Sequence, residues 1–173
     1  MGRIVVAMYV SLDGVMETPS WTAPYWEETL SSYQDAAQRA CTALLLGRIT
    51  YEQFAAVWPH SPDEGAPFMN GIEKYVPTTT LEQAGWNARL LKGDAAGEIA
   101  RLRQRQNLLV YGSGQLTRFL FQHGLVDEYR QMVFPVVLGQ GMRLFEGQGA
   151  PYRFSQLESV RTPKNVLLNT YTK

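Results

Sequence analysis

Two segments of the chain combine a short apolar run with a glycine where a helix is expected to begin. The first is Ala43–Arg48 (ALLLGR) and the second is Leu108–Gly114 (LLVYGSG). The first backbone N–H groups of a helix have no partner within the helix, and glycine lets an anion approach them closely. The two junctions together predict the opposite ends of one site for a nucleotide.

Side chains beside the first junction favour the same prediction. Arg48 carries a planar guanidinium suited to phosphate, and Thr50 adds a hydroxyl in the same helical turn. The alternative is a solvated arginine and a threonine cap. The second junction matches the dinucleotide-binding fingerprint incompletely, because Thr117 stands where a third glycine is expected. That turn could therefore serve chain topology alone.

A carboxylate lies at the end of the first predicted strand. Asp13, within Ser11–Gly14 (SLDG), falls where open sheets bind ligands, and the alternative is a plain Asp-Gly turn. Four nearby apolar side chains could form the wall of a pocket for a planar ring, or could simply pack in the core: Met16, Trp21, Trp26 and Phe134.

Few residues could carry out chemistry unaided. The chain has one cysteine, Cys41, and two histidines, His60 and His123, and these are not spaced as zinc ligands. It also lacks the Gly-x-Ser-x-Gly sequence of a serine nucleophile. We therefore predict no metal site, and we expect a cofactor to supply the chemistry if the protein is an enzyme.

Length and composition exclude several classes of protein. The 173 residues suffice for one domain, predicted to span 1–173, and 45% hydrophobic with 18% charged residues is typical of a globular chain. The 16 basic residues balance the 16 acidic ones, so neither nucleic acid nor a membrane surface is an expected partner. The apolar runs are too short to span a bilayer, and a single cysteine is typical of a cytoplasmic protein.

The pattern of apolar residues predicts a mixed α/β fold. Ile4–Val10 and residues 42–46 and 108–111 are almost continuously apolar, as strands covered on both faces are. Helical periodicity follows each of these strands, which predicts parallel pairing. After Asp127 several strands follow without a helix between them, so the end of the sheet is expected to be antiparallel.

One acidic residue lies near the start of the first helix. This helix is predicted to begin after Pro24 and to run for about four turns, with Trp26 and Leu30 on its buried stripe. Glu27 lies on the shoulder of the stripe, from which it could reach inward as a proton donor. Asp13 and ordered water are the other candidates for this catalytic role.

The order of these segments resembles the dihydrofolate reductase-like superfamily. It resembles more closely the family named for the reductase domain of the bifunctional riboflavin-biosynthesis deaminase-reductase. The similar stretches cover most of the chain: Ile4–Met16, Ala43–Trp58, Lys74–Glu82, Leu90–Asp94, Leu108–Leu116 and Val126–Phe145. The resemblance implies a three-layer α/β/α fold with a mixed, mainly parallel sheet and antiparallel C-terminal strands. It also implies an NADPH-dependent reductase of a small molecule, usually a homodimer.

The same resemblance assigns residues to the two halves of the site. Residues expected at the adenosine-phosphate end of the cofactor are Gly47, Arg48, Ile49 and Thr50. Residues expected along the pyrophosphate are Gly112, Ser113, Gly114, Gln115 and Leu116. The loop over nicotinamide and substrate would contain Asp13 and Gly14. The substrate side would be closed by Pro135, Val136, Leu138 and Gly139.

The chain departs from these families at two places. Trp26 stands where dihydrofolate reductases carry their catalytic acid, and Glu27 and Glu28 follow it. Thr78 and Thr79 stand where close members have a serine and an arginine. These two threonines are candidate cofactor contacts, and their lack of charge makes NADH a possible cofactor besides NADPH.

The leading interpretation is an NAD(P)H-dependent reductase that transfers hydride to a small heterocycle, of the 5-amino-6-(5-phosphoribosylamino)uracil reductase type. A dihydrofolate or pterin reductase is the alternative within the superfamily. A nucleotide-binding protein that senses a ligand without converting it is the alternative from another class.

Overall fold

The fold is built on one eight-stranded sheet in the computed structural model, which describes residues 1–147 and 151–173. The strands in chain order are β1 (Ile4–Val10), β2 (Ala43–Leu45), β3 (Glu73–Pro77), β4 (Ala88–Leu91), β5 (Leu108–Tyr111), β6 (Glu128–Val133), β7 (Gln156–Arg161) and β8 (Leu167–Thr172). The α-helices are α1 (Glu28–Ala40), α2 (Arg48–Val57), α3 (Ala66–Gly71), α4 (Ala95–Arg103) and α5 (Gly114–Gln122).

The strand order across the sheet is β4-β3-β2-β5-β1-β6-β8-β7. Strands β1 to β6 pair in parallel, whereas β8 runs antiparallel to both β6 and β7. This confirms the predicted mixed, mainly parallel sheet with antiparallel C-terminal strands. Because parallel strands end at the same edge, the loops that follow β1, β2, β3, β5 and β6 converge at the carboxyl edge of the sheet.

Strand β1 shows why the buried strands are continuously apolar. Its even-numbered residues join the core beneath α4 and α5, while Val5 and Ala7 join the core beneath α1 and α2. Successive strand residues point to opposite faces, so a strand between two helical layers needs apolar side chains at every position. The two cores give the predicted three layers.

Helix α1 begins at Glu28, so the prediction that it begins after Pro24 is wrong. The segment Pro19–Tyr25 forms tight 3-10 turns, and Trp26 has extended backbone angles. Glu27 is the N-cap, since its carboxylate accepts hydrogen bonds from the amides of Thr29 and Leu30. A side-chain acceptor at this place satisfies helix donors that would otherwise lack partners, and so it fixes the start of the helix.

Strand β6 ends at Val133, two residues before Pro135. Pro135 has no N–H group and cannot continue the ladder of hydrogen bonds. The chain nevertheless stays beside the end of β1, because the Leu12 amide donates to the Val136 carbonyl at 2.8 Å. The loop after β6 is therefore tied to the loop after β1.

No helix among the described residues is long and apolar enough to cross a membrane.

A lysine lies in the core between the sheet and the β3–β4 crossover. Lys74 is fully buried, and its ammonium group donates to the Ile72 carbonyl at 2.7 Å and lies 4.0 Å from the centre of the Trp86 ring. Burial penalises the charged form and lowers the pKa of Lys74 from 10.5 to about 8. The charge on this group therefore opposes folding at neutral pH.

This burial predicts a stability that rises with pH. Between the folded pKa near 8 and the unfolded value of 10.5, the unfolded chain binds more protons at Lys74 than the native protein does, so alkali favours the native state. From about pH 7.5 to about pH 9.5, wild type should gain about 2 kcal/mol in unfolding free energy relative to Lys74→Met, measured by urea denaturation. The control Lys92→Met, which alters a more exposed ammonium group, should keep the wild-type slope. An equal slope in wild type and Lys74→Met would contradict the prediction.

Candidate functional site

The two glycine junctions lie next to each other at the carboxyl edge of the sheet. The Gly47 amide donates to the Ser113 hydroxyl at 2.9 Å, and the Ser113 amide donates to the Thr50 hydroxyl at 3.1 Å. Strand β5 lies beside β2, which brings the two junctions together. The prediction that the two junctions lie at opposite ends of a nucleotide site is therefore corrected. They are joined by hydrogen bonds and form a single unit.

Both helix starts in this unit lack a side-chain cap among the described residues. Gly47 has no side chain, and the Ser113 hydroxyl is bonded across to α2 instead of to its own helix. Gly112 and Ser113 both have left-handed backbone angles, with φ of 53° and 54°, which turn the chain sharply from β5 into α5. The uncapped first turns of α2 and α5 thus begin side by side at the carboxyl edge, and uncapped helix starts are suited to bind an anion.

The other residues predicted to bind the cofactor surround these helix starts. Arg48 and Ile49 are exposed on the first turn of α2, and the Arg48 guanidinium forms an ion pair with Glu52 at 2.8 Å. Gln115 is exposed, whereas the side chain of Leu116 is buried in the core and leaves only its backbone to a ligand.

The two threonines after β3 lie at the same edge of the sheet. The Thr78 hydroxyl accepts hydrogen bonds from the amides of Thr80 and Leu81, each at 3.2 Å, and Thr79 is exposed. The Thr78 hydroxyl therefore stabilises the turn after β3, and the exposed Thr79 side chain is the more accessible of the two to a ligand.

Asp13 joins the loop after β1 to the loop after β6. Its carboxylate accepts hydrogen bonds from the Ser11 hydroxyl at 2.6 Å and from the amides of Leu138 and Gly139 at 3.1 and 2.8 Å. These donors, the Ser11 hydroxyl first among them, hold the pKa of Asp13 at about 2. A carboxylate that stays ionised at neutral pH is unsuited to the predicted role of proton donor, and its contacts indicate a structural role.

Further contacts extend this connection between the two loops. Arg143 donates to the Asp13 carbonyl at 3.1 Å, and its guanidinium lies 3.9 Å from the Asp13 carboxylate. Val15 forms a bridge with Arg143, and the Leu144 amide donates to the Gly14 carbonyl at 3.1 Å. No local pattern selects Arg143, because its partner Asp13 is distant in the chain. Gly14, predicted on the substrate side, has φ of 80° and forms the turn between these contacts.

Met16 lies against the start of α5 and not in a separate substrate pocket. A Cβ atom built on Gly114 would be 2.6 Å from the Met16 sulfur and 3.1 Å from that of Met142. The absence of a side chain at Gly114 therefore allows the Met16 and Met142 sulfurs to lie close to the backbone of α5. This contact brings a residue predicted for the substrate to a helix predicted for the cofactor.

The aromatic residues predicted to line a pocket pack on one another. Phe134 is fully buried, and its ring makes edge contacts with Tyr9, Trp21 and Tyr25 at centroid distances of 5.5 to 6.0 Å. Trp26 makes a similar contact with Tyr9 at 5.8 Å. Phe134 thus belongs to the core, whereas Trp21 and Trp26, the other two aromatic residues predicted for the pocket, are only partly buried. Of the residues predicted to close the substrate side, Pro135 and Gly139 are exposed and Val136 is half-buried.

Glu27 caps α1 with both carboxylate oxygens, at 2.9 Å from the Thr29 and Leu30 amides. These hydrogen bonds, the one from Thr29 first, lower the pKa of Glu27. The prediction that Glu27 lies on the helix shoulder and reaches inward is therefore wrong. Among the residues described, no group of three or more histidine, cysteine or acidic side chains could hold a metal ion.

Three solved structures are similar to this fold. A "Putative riboflavin biosynthesis protein" from Shewanella sp. PV-4 has a TM-score of 0.78 and 22% identity, covering 99% of this chain and 98% of its own. The deaminase/5-amino-6-(5-phosphoribosylamino)uracil reductase from Thermotoga maritima has a TM-score of 0.68 and 15% identity, covering 99% of this chain and 56% of its own. Dihydrofolate reductase from Enterococcus faecalis, complexed with NADP(H), has a TM-score of 0.62 and 15% identity, covering 99% and 96%.

At these identities the structural likeness shows the fold alone, and it confirms the dihydrofolate reductase-like architecture. The sequence itself matches the model of the RibD C-terminal domain across residues 3–168. That match covers nearly the whole chain and agrees with the resemblance expected from the sequence motifs. The chain belongs to the RibD C-terminal domain family.

Proposed function

We propose that the protein is an NADPH-dependent reductase that transfers hydride to a small heterocyclic substrate. The observation that carries this proposal is the pair of uncapped helix starts, bonded side by side through Ser113 and flanked by Arg48. This arrangement supplies converging backbone donors and one guanidinium, which are the groups that recognise phosphates.

These residues fit a nicotinamide dinucleotide. The first-turn amides of α2 and α5 would bind its phosphates, and Arg48 would contact the ribose phosphate that distinguishes NADPH. Met16 and Met142, whose side chains pack against Gly114, would form the adjoining surface. NADPH when bound supplies the hydride, and the protein supplies alignment and exclusion of water.

The proton needed to complete a reduction is assigned to water. Asp13 and Glu27 both have lowered pKa values, and their oxygens already accept hydrogen bonds from backbone amides. A carboxylic acid that could protonate a pterin is thus lacking at the two places where the sequence suggested one. This disfavours dihydrofolate as the substrate. It favours a substrate whose reduction draws its proton from solvent.

We infer a substrate of the 5-amino-6-(5-phosphoribosylamino)uracil type. Support comes from membership in the RibD C-terminal domain family and from the fold shared with the Thermotoga maritima deaminase/reductase. The test is titration of the purified protein with NADPH and NADH, followed by the loss of reduced-nicotinamide absorbance with this uracil and, separately, with dihydrofolate. Turnover of dihydrofolate alone would overturn the substrate assignment. Binding without turnover of either compound would favour a ligand sensor.

Arg48 is predicted to discriminate between the two cofactors. Arg48→Ala should weaken NADPH binding about fivefold more than NADH binding, the effect expected from one exposed pair of charges. Quenching of tryptophan fluorescence measures both dissociation constants. The control is Arg101→Ala, which removes an arginine ion-paired at 2.7 Å on α4. Equal losses for the two nucleotides would mean that Arg48 does not contact the additional phosphate.

Asp13 is predicted to position the loops and not to transfer a proton. In Asp13→Asn, kcat/KM should fall about tenfold, mainly through KM, because the two loops at the site lose a charged acceptor. The shape of the rate profile between about pH 5 and 9 should be retained. Disappearance of one limb of that profile in the variant would instead identify Asp13 as the proton donor.

The same substitution has a predicted effect on stability. The folded pKa of Asp13 is about 2 and the ordinary value is 3.8, so its stabilising contribution is complete above about pH 4 and is lost as the pH falls towards 2. The Tm of Asp13→Asn should therefore be lower than that of wild type at neutral pH, and the difference should disappear near pH 2. A constant difference across this range would contradict the assigned bonding.

We further propose a homodimer, as the family resemblance implies, in the cytoplasm, as the single cysteine of the sequence indicates. Strand β7 is exposed along its whole length and pairs only with β8 among the described strands, and it carries Leu157 and Val160 with more than half of each residue exposed. Such an edge is suited to contact with a second copy. Leu157→Lys combined with Val160→Lys should produce monomers in light scattering, whereas Val57→Lys, at an exposed apolar residue of α2, should not. A wild-type monomer would overturn this proposal.

A further inference from the structure

We infer that Glu52 is a specificity-determining residue that shifts the protein towards the nicotinamide dinucleotide without a 2′-phosphate. This inference rests on the proposed function, since it concerns the end of the site at which Arg48 would contact the cofactor.

The inference starts from the direction of the Arg48 side chain. Arg48 is the first residue of α2, and Glu52 lies one turn further along the same helix. Their side chains form an ion pair at 2.8 Å, and they are 41% and 44% exposed. The guanidinium is therefore directed along the helix towards Glu52, and both groups remain open to a ligand from solvent.

The Glu52 carboxylate opposes a phosphate at this position in two ways. It engages the Nη1 group of Arg48, so that this donor is shared between Glu52 and any phosphate that binds. It also places a negative charge within reach of the same phosphate, where like charges repel. Both effects act on NADPH and neither acts on the uncharged ribose hydroxyl of NADH.

The same carboxylate suits a ribose that carries a free hydroxyl. Acidic side chains at the adenosine end of dinucleotide sites accept a hydrogen bond from the ribose 2′-hydroxyl. Arg48 and Glu52 together thus present a donor and an acceptor side by side. An arginine alone would favour the phosphate more strongly than this pair does.

The residues that follow β3 and β4 add no unpaired positive charge that could help Arg48 to bind a phosphate. Thr78 and Thr79 follow β3 at the same edge and are uncharged. Lys92 follows β4, the next strand of the sheet, and its ammonium group is paired with Glu82 at 3.2 Å. Selection between the two nucleotides therefore depends on how strongly Glu52 holds Arg48.

The test is the ratio of dissociation constants for NADH and NADPH, measured by fluorescence titration of the full chain. In Glu52→Gln, NADPH should bind about fivefold more tightly than in wild type, while NADH should bind equally or more weakly. The shift in the ratio should shrink at high salt, because both charges are exposed. In an Arg48→Ala background, Glu52→Gln should have a smaller effect, since the competition for Arg48 is gone.

The matched control is Glu98→Gln, which removes a carboxylate paired with Arg101 at 2.7 Å on α4, across the sheet from α2. Its ratio should equal that of wild type. Binding of both nucleotides with an unchanged ratio in Glu52→Gln would overturn the role of Glu52 and leave the proposed function intact. Failure of wild type to bind either nucleotide would overturn the proposed function and this inference with it.

Discussion

The Ser113 hydroxyl accepts a hydrogen bond from the Gly47 amide, and the Ser113 amide donates to the Thr50 hydroxyl. These two contacts hold the start of α2 beside the start of α5. They exist because β2 and β5 are neighbours in the sheet, although the two strands are far apart in the chain. Since Ser113 bonds across to α2, it leaves α5 without a side-chain cap among the described residues. The proposed binding of an anion at this edge depends on that choice of partner.

The ionised Asp13 is the second side chain that holds loops together at the carboxyl edge of the sheet. Its bonds to the Leu138 and Gly139 amides join loops that no helix or strand connects, and Arg143 adds a contact from the following segment. A carboxylate that accepts hydrogen bonds from backbone amides is favoured in its charged form, which explains both its low pKa and its structural role. Two polar side chains, those of Ser113 and Asp13, thus hold the backbone around the candidate site in place.

Much of the fold could be predicted from local patterns in the sequence. The apolar run of Ile4–Val10 has the predicted bounds, because strand periodicity depends on nearby residues. Asp94 is of a residue type preferred at an N-cap, and it caps α4 by accepting from the Gly97 amide. Glu27 was not predicted to cap α1, because glutamate is not among the side chains usually preferred at an N-cap.

The site itself was less accessible to sequence reasoning. Asp13 and Phe134 were predicted as candidate site residues, each with an alternative, and the contacts observed give both residues a structural role. The choice between a site residue and a structural residue depends on the groups that the side chain contacts. The Asp13 carboxylate accepts hydrogen bonds from amides more than a hundred residues further along the chain. Such pairings depend on strand order, which local patterns do not encode.

The bond between the two helix starts also bears on the entropy of ligand binding. Loops that become ordered only when a ligand arrives lose conformational freedom at that moment, and the affinity is reduced accordingly. Here the donors of α2 and α5 are held together by Ser113 when the chain folds. The proposed dinucleotide, with its two phosphates, would therefore bind to a preorganised surface, and most of the ordering would precede association.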